Sequence, residues 1–375
     1  MALIVQKYGG AVLSNIEKIR RIAGYIAKLH SEGNQLVVVV SAMGYTTDDL
    51  VRLANSVSPN PSKREMDMLL SVGERITMSL LVMAIEATGL AKAISFTGSQ
   101  VGIITDNQHT DAKILQIRGE RLKQALEQGY VVVVAGFQGV SIDREITTLG
   151  RGGSDTTAVA LGAALGADRC DLIKEVPGIF SGDPTIIPEA KPIPAIDFDH
   201  IRELSLGGAR IAKADCIELA KRHNIEIRIG TVEQNSIVCQ SPESAYFSLA
   251  LKENLTLAKF PGDLPVDRFV RGLEYLIIGN QAVVFGDSLK MNEFLAVFTL
   301  QAKHIIQRPV HSITAVGISV ESIPAYVKDM TDFKIEFLHL SSDRLKILFS
   351  GENPRALAQR IHEFIMKKPP VDSKR

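Results

Sequence analysis

The chain has 375 residues, 46% of them hydrophobic, and its 42 basic and 42 acidic side chains cancel to zero formal net charge. That length supports two or three domains with sizeable cores, and the balanced charge excludes a general field for nucleic acid or an acidic membrane surface, leaving small ligands as the expected partners. Cys170, Cys216 and Cys239 show neither C-x-x-C nor zinc spacing and read as reduced thiols; with no charged leader before an apolar segment, and no window expected to span a bilayer, the expected address is the cytoplasm.

The first apolar run, Leu3-Ile4-Val5, leads into the glycine turn Lys7-Tyr8-Gly9-Gly10. Ser14-Asn15-Ile16-Glu17 has capping-box spacing and opens a periodic helix through Leu29. Strands are expected at Leu36 to Val40, Ile94 to Phe96, Val131 to Ala135, Leu172-Ile173 and Glu226 to Ile229. Their runs lack alternation, as in strands buried on both faces. Short β-branched runs alternating with helical ones up to about Gly230 predict an α/β domain with a mostly parallel sheet. The second glycine turn, Leu149-Gly150-Arg151-Gly152-Gly153-Ser154-Asp155, opens a helix over Thr156 to Ala164. Both turns therefore fall between a strand and a helix, where ligands collect in open parallel sheets.

Five prolines between Pro177 and Pro194 exclude a regular helix there and imply an ordered functional loop or a hairpin with an excursion. Periodicity weakens from about Asn235 to Asn254, read as a linker between a first domain at 1–234 and a second region at 255–375. In that region strands at His311 to Ile318, Ile335 to His339 and Leu345 to Ser350, with helices at Ile323 to Met330 and Pro354 to Lys367, give a βαββα order typical of a small α+β ligand-binding or dimerising module. Strand-like pieces at Tyr275 to Ile278 and Ala282 to Phe285 are expected to belong to a mirrored module across Pro261 to Arg308.

Glycine N–H groups at a helix mouth, with a lysine and an arginine, suit phosphate and carboxylate chemistry. Phosphoryl transfer asks mainly for placement and charge neutralisation, so Lys7 reads either as a cation for the transferred group or as a surface lysine. Asp155 either orients that lysine or a metal, or caps the Thr156 helix. Arg151 reads as a bidentate carboxylate clamp or an ordinary loop arginine. Thr47, at a strand's carboxyl end, binds substrate or caps a helix, and Glu74 accepts an ammonium or complements a helix dipole.

Together, KYGG at Lys7, SAMGYTTDDL at Ser41, LLSVGERI at Leu69, ITTLGRGGSDTTAVALGAALGAD at Ile146 and VPGIFSGDP at Val176 resemble the aspartokinases of the amino acid kinase family. The resemblance implies an αβα sandwich followed by ACT modules, the second at about 309–368 being the clearer. It implies ATP- and Mg²⁺-dependent phosphorylation of the L-aspartate side chain to 4-phospho-L-aspartate, the step leading to lysine, threonine and methionine. By that likeness Lys7 and Asp155 are the catalytic pair, and Gly9, Gly10, Gly152 and Gly153 cradle phosphates. Thr47, Glu74, Arg151 and Ser154 hold aspartate, while Lys174, Glu175, Phe180, Asp183 and Arg210 hold the nucleotide. A homodimer and an amino-acid effector at the ACT-like region are further implications.

This chain departs from the family pattern at several places. Ala11 and Val12 replace a hydroxyl-bearing pair, Lys174-Glu175 replaces Thr-Asp, Phe180 replaces a tyrosine and Thr185 an arginine. Arg210 stands for a lysine, and Ala212-Lys213-Ala214 follows in place of a His/Gln-Pro pattern. The Pro261 to Arg308 stretch lacks the effector-binding pattern. Two other readings therefore stand beside an active aspartokinase: a related kinase for another acidic substrate, and a catalytically weak paralogue with a binding or regulatory role.

Overall fold

Runs of consecutive apolar residues become the middle of an eight-stranded sheet, because both of their faces are covered. In the computed structural model, which describes residues 2–242, 246–261, 273–278, 281–288, 291, 306–318, 332–341 and 343–367, Val37 to Val40 and Val131 to Ala135 are fully buried. Burying each such valine contributes roughly 1.5–3 kcal/mol relative to leaving it in water. The sheet runs in the order Ala195–Asp197, Asn235–Cys239, Glu226–Gly230, Arg169–Ile173, Leu3–Tyr8, Gln35–Val40, Tyr130–Ala135, Lys92–Phe96. From Glu226–Gly230 to Lys92–Phe96 all neighbours are parallel, and Asn235–Cys239 joins antiparallel. Their carboxyl ends therefore share one rim, with Lys7 held in register between Val39 and Leu172.

The chain divides into two units, the first comprising Met1–Ile179, Pro192–Arg202 and Arg210–Ser244, the second Phe180–Lys191, Glu203–Ala209 and Ala245–Arg375. In the first, helix Ile16–Ser31 packs its Ile19, Ile22, Ala23 and Ile26 on the sheet together with Leu81 and Ile85 of helix Val72–Glu86. The first helix is capped by Asn15, whose side chain accepts from Lys18 N, so it opens one residue later than the Ser14 capping box predicts. A four-stranded sheet adjoins in the order Ile114–Ile117, Ile103–Thr105, Gln138–Ser141, Ile146–Thr148.

Helices Lys63–Leu70 and Val72–Glu86 meet at Ser71. Contrary to expectation, the combined run of 24 residues contains an 18-residue window with a mean hydropathy of 1.6, long and apolar enough by length and composition to cross a membrane. Here it belongs to the core of the first unit, burying Leu70, Met78, Leu81 and Ile85 along with Asp67 and Glu74.

The second unit is an antiparallel sheet ordered Glu274–Ile278, Gln281–Asp287, Ser248–Pro261, Ile306–Val316, Arg344–Ser350, Lys334–Ser341. Helix Pro354–Met366 buries Leu357, Ala358 and Ile361 against Ile313, Ala315, Ile347 and Phe349. The expected strands of the βαββα order are present, while its helix at Ile323 to Met330 lies outside the described residues, as does much of the Pro261 to Arg308 stretch. The 235–254 segment is not a plain linker. Asn235–Cys239 completes the first unit's sheet, and Ser248 begins a long central strand of the second. Weak helical periodicity there reflects a short strand with alternating burial. The proline-rich segment forms a two-stranded pairing of Ile179–Phe180 with Pro192–Ile193, a hairpin with an excursion.

Candidate active site

The site grows from two close approaches that only glycine permits. A Cβ on Gly10 would lie 2.5 Å from the Ala42 carbonyl oxygen, and one on Gly73 would lie 2.7 Å from the Ala42 Cβ. The Gly9-Gly10 turn, the end of the Gln35–Val40 strand and the start of helix Val72–Glu86 thus close on one another, and Gly44 N donates to Gly10 O at 3.0 Å. Glu74, in the first helical turn, is carried to the sheet's rim by this contact. Its Oε1 accepts from Ala42 N at 3.1 Å, while its Oε2 is buried without a partner. Burial raises the Glu74 carboxyl to about 7, against the Ala42 hydrogen bond and the Lys7 charge, which both favour ionisation. A helix-dipole role alone would not require such burial.

The second glycine turn supplies the opposite wall. Gly150 and Gly152 take φ of +69° and +75°, values that side chains disfavour, and Gly152 directly precedes helix Gly153–Leu165. Asp155 is therefore the third helical residue, not the cap. Its carboxylate instead joins two lysines: Lys7 Nζ is 2.6 Å from Oδ1 and Lys174 Nζ is 3.3 Å from Oδ2. Burial works against its ionisation, but the two ammonium groups prevail and hold Asp155 below the usual carboxylate range. Ser154 is buried and lies against Gly136, where a Cβ would meet the Ser154 Cβ at 2.8 Å.

Lys7, Glu74, and the adjacent Ser154 and Asp155 are thus brought to one rim from three separate stretches of chain. Arg151 stands exposed at the mouth of the same glycine turn, without a hydrogen bond or ion pair among the described residues. Thr47 is the second residue of helix Thr46–Val57, whose start has no side-chain cap, so it is half-buried and performs no capping. Gly9 N donates to Ile173 O at 3.4 Å, tying the first turn to the strand before Lys174.

The residues assigned to the nucleotide divide. Lys174 belongs to the Asp155 cluster. Glu175 is exposed and pairs with Lys18 at 2.7 Å, and the same Lys18 Nζ donates to Ala11 O at 2.8 Å. Arg210 is exposed in a turn of the first unit with no partner among the described residues. Phe180 and Asp183 belong to the second unit, where Asp183 Oδ1 accepts from Thr185 N and Oγ1 at 2.9 and 2.7 Å. Sequence reasoning passed over Lys213, which packs against Gly152 and donates to Leu149 O at 3.2 Å. It stood in plain view as a lysine in the altered Ala212-Lys213-Ala214 segment. Among the described residues no group of three or more His, Cys, Asp or Glu side chains has metal-binding geometry.

The Amino acid kinase family model matches residues 2–231. The chain belongs to the amino acid kinase family. Among members of that family, it is 37% identical over 378 residues to the aspartokinase of Geobacillus stearothermophilus, covering 97% of this chain and 88% of that one. It is 51% identical over 246 residues to the aspartokinase of Mycolicibacterium smegmatis, a match covering 63% of this chain and 58% of that one. The chain thus spans little more than half the length of the mycobacterial relatives it matches. Escherichia coli aspartokinase III, solved with aspartate and ADP in its R-state, is alike in fold, with a TM-score of 0.85 at 21% identity over 97% of this chain and 100% of that one. The amino acid kinase fold read from the motifs is the fold observed.

Proposed function

We propose that this amino acid kinase phosphorylates the side-chain carboxylate of L-aspartate with ATP, giving 4-phospho-L-aspartate and ADP. The observation that carries the reading is the pairing of Lys7 with Asp155 at 2.6 Å on the same rim as Glu74. A cation for a transferred phosphoryl thereby stands beside an acceptor for a substrate ammonium. The unpartnered Glu74 Oε2 takes that ammonium, and the free fork of Arg151 takes a carboxylate. Thr47 and Ser154 supply hydroxyls to the same small molecule.

A carboxylate is already nucleophilic at neutral pH, so no base is needed. Its oxygen forms the new bond to the γ-phosphorus while the bond from that phosphorus to the β,γ-bridging oxygen breaks, and ADP departs with the electron pair. Lys7 neutralises charge on the transferred group, Asp155 aims Lys7, and the turns at Gly9, Gly10, Gly152 and Gly153 cradle the phosphates, with the N–H groups of Gly10 and Gly152 donating to their oxygens. Lys174, Glu175 and Arg210 are the first unit's contributions to nucleotide binding. Magnesium fits as a companion of the nucleotide, because the described residues form no carboxylate cage and Asp155 is already shared by two lysines. Bound on the triphosphate, it would neutralise phosphate charge. A cytoplasmic homodimer with an amino-acid effector site in the second unit completes the reading.

Purified protein incubated with ATP, magnesium, aspartate and hydroxylamine should yield aspartyl hydroxamate, with glutamate and other acidic amino acids giving less. No hydroxamate beside a competent control enzyme refutes the reading, and preference for another acid moves the chain to a different substrate. Sedimentation with and without lysine or threonine tests the dimer and the effector.

A further inference from the structure

Lys174 replaces the threonine of the family pattern, and it does not point idly into solvent. Its ammonium is 3.3 Å from Asp155 Oδ2, with only 26% of the side chain exposed, while Lys7 occupies Oδ1. Two ammonium groups therefore face one carboxylate on a largely buried rim, leaving one positive charge without a counter-charge on that cluster. The backbone that carries Lys174 is fixed on both sides: Lys174 N donates to Gly230 O at 2.6 Å, and its neighbour Glu175 is held by Lys18. Burial disfavours the charged form of Lys174, and Asp155 only partly restores it. An anion arriving at the cluster would relieve this cost.

We propose that Lys174 is a second catalytic cation of the phosphoryl-transfer site, which moves from Asp155 onto the transferred phosphoryl group or its bridging oxygen when the triphosphate binds. This rests on the kinase reading above and deepens it. The same chain that carries Ala11 and Val12, and so lacks two hydroxyl donors after Gly10, thereby regains charge neutralisation from a lysine just past the end of the neighbouring strand Arg169–Ile173. Bond changes are those given above, with no proton moved by Lys174. Its ammonium stabilises charge that shifts toward the bridging oxygen as the bond to phosphorus breaks.

The test compares wild type, Lys174→Thr and Lys174→Arg in steady-state kinetics, with thermal melting of each. Loss of one such donor typically costs about 10²–10³-fold in kcat, so Lys174→Thr should fall about 100-fold in kcat with KM for aspartate within about threefold, and Lys174→Arg should keep at least about a tenth of wild-type turnover. A folded Lys174→Thr protein turning over within about threefold of wild type overturns the proposal, as does a loss confined to KM for ATP. Unfolding of both variants overturns it too, by assigning Lys174 a structural role. Wild-type turnover on aspartate, measured alongside, tests the kinase reading separately. The variant ratio is taken on whichever acid the wild type accepts, so failure of one reading is not mistaken for failure of the other.

Discussion

In the ligand-free protein Glu74 is a destabilising group, and replacing it by glutamine exposes this as a pH effect. Burial lifts its carboxyl from 4.5 to about 7. A carboxyl that titrates higher in the folded state binds protons more readily when folded. Its contribution to stability therefore falls as pH rises from about 4.5 to about 7, and the full cost persists above that window. At about 1.36 kcal/mol per pKa unit the cost is roughly 3 kcal/mol, an upper bound because the site can relax and admit water. Glutamine keeps an oxygen to accept from Ala42 N and removes the charge. Glu74→Gln should therefore be more stable than wild type by about 2 kcal/mol in urea denaturation at pH 8, with the difference vanishing near pH 4.5. The same change should raise KM for aspartate about 10- to 100-fold, since a hydrogen bond between charged groups contributes about 1.5–3 kcal/mol. In wild type, KM for aspartate should drop as pH rises from about 6 to about 8, because the ammonium needs the ionised carboxylate. A stability difference equal at both pH values, or an unchanged KM, refutes the assignment of Glu74 as a buried ammonium acceptor.

Arg151→Ala should raise KM for aspartate about 100-fold while leaving the melting temperature nearly unchanged, because this exposed arginine has no partner among the described residues to lose; kinetics with calorimetry checks both. Gly10→Ala forces a Cβ to 2.5 Å from a carbonyl oxygen, so it should destabilise by roughly 1–3 kcal/mol and abolish turnover together, read by urea titration and hydroxamate assay. Asp67 is fully buried and accepts from Thr148 Oγ1 at 2.5 Å and Thr110 N at 3.1 Å, with His109 Nδ1 at 2.6 Å. Asp67→Asn should destabilise by about 2–4 kcal/mol and also raise KM for aspartate, since Thr148 leads directly into the Arg151 turn. An Asp67→Asn protein with wild-type stability would show that this network does not hold the turn.

The parts of the site that were legible in sequence are those built by local rules. A glycine turn between a buried strand and an apolar helix fixes its own position at the sheet's rim, so Lys7, Arg151 and Asp155 could be named from their neighbours alone, whereas Ser154 came only with the family resemblance. Whether Asp155 caps its helix or pairs with a lysine could not, because that depends on strands more than a hundred residues apart meeting in parallel register. The helix itself gives the answer only in three dimensions: Gly152 and Gly153 take the first positions, which pushes Asp155 inward past the cap. The same limit hid the Asp67 network, whose members come from positions 67, 109, 110 and 148 and carry no shared motif.

Departures from a family pattern gain meaning only when their contacts are known. As letters, Ala11, Lys174 and Glu175 are three unrelated substitutions in two loops. In the fold, Lys18 donates to the Ala11 carbonyl and pairs with Glu175, while Lys174 reaches the carboxylate that Lys7 already holds. These three altered positions are thus one connected set beside the Lys7–Asp155 pair, whereas Thr47, Glu74, Arg151 and Ser154 keep the family's residues. On the proposed reading, charge added at Lys174, beside the Asp155 carboxylate that Lys7 already holds, is what altered phosphate handling requires once the hydroxyls after Gly10 are lost.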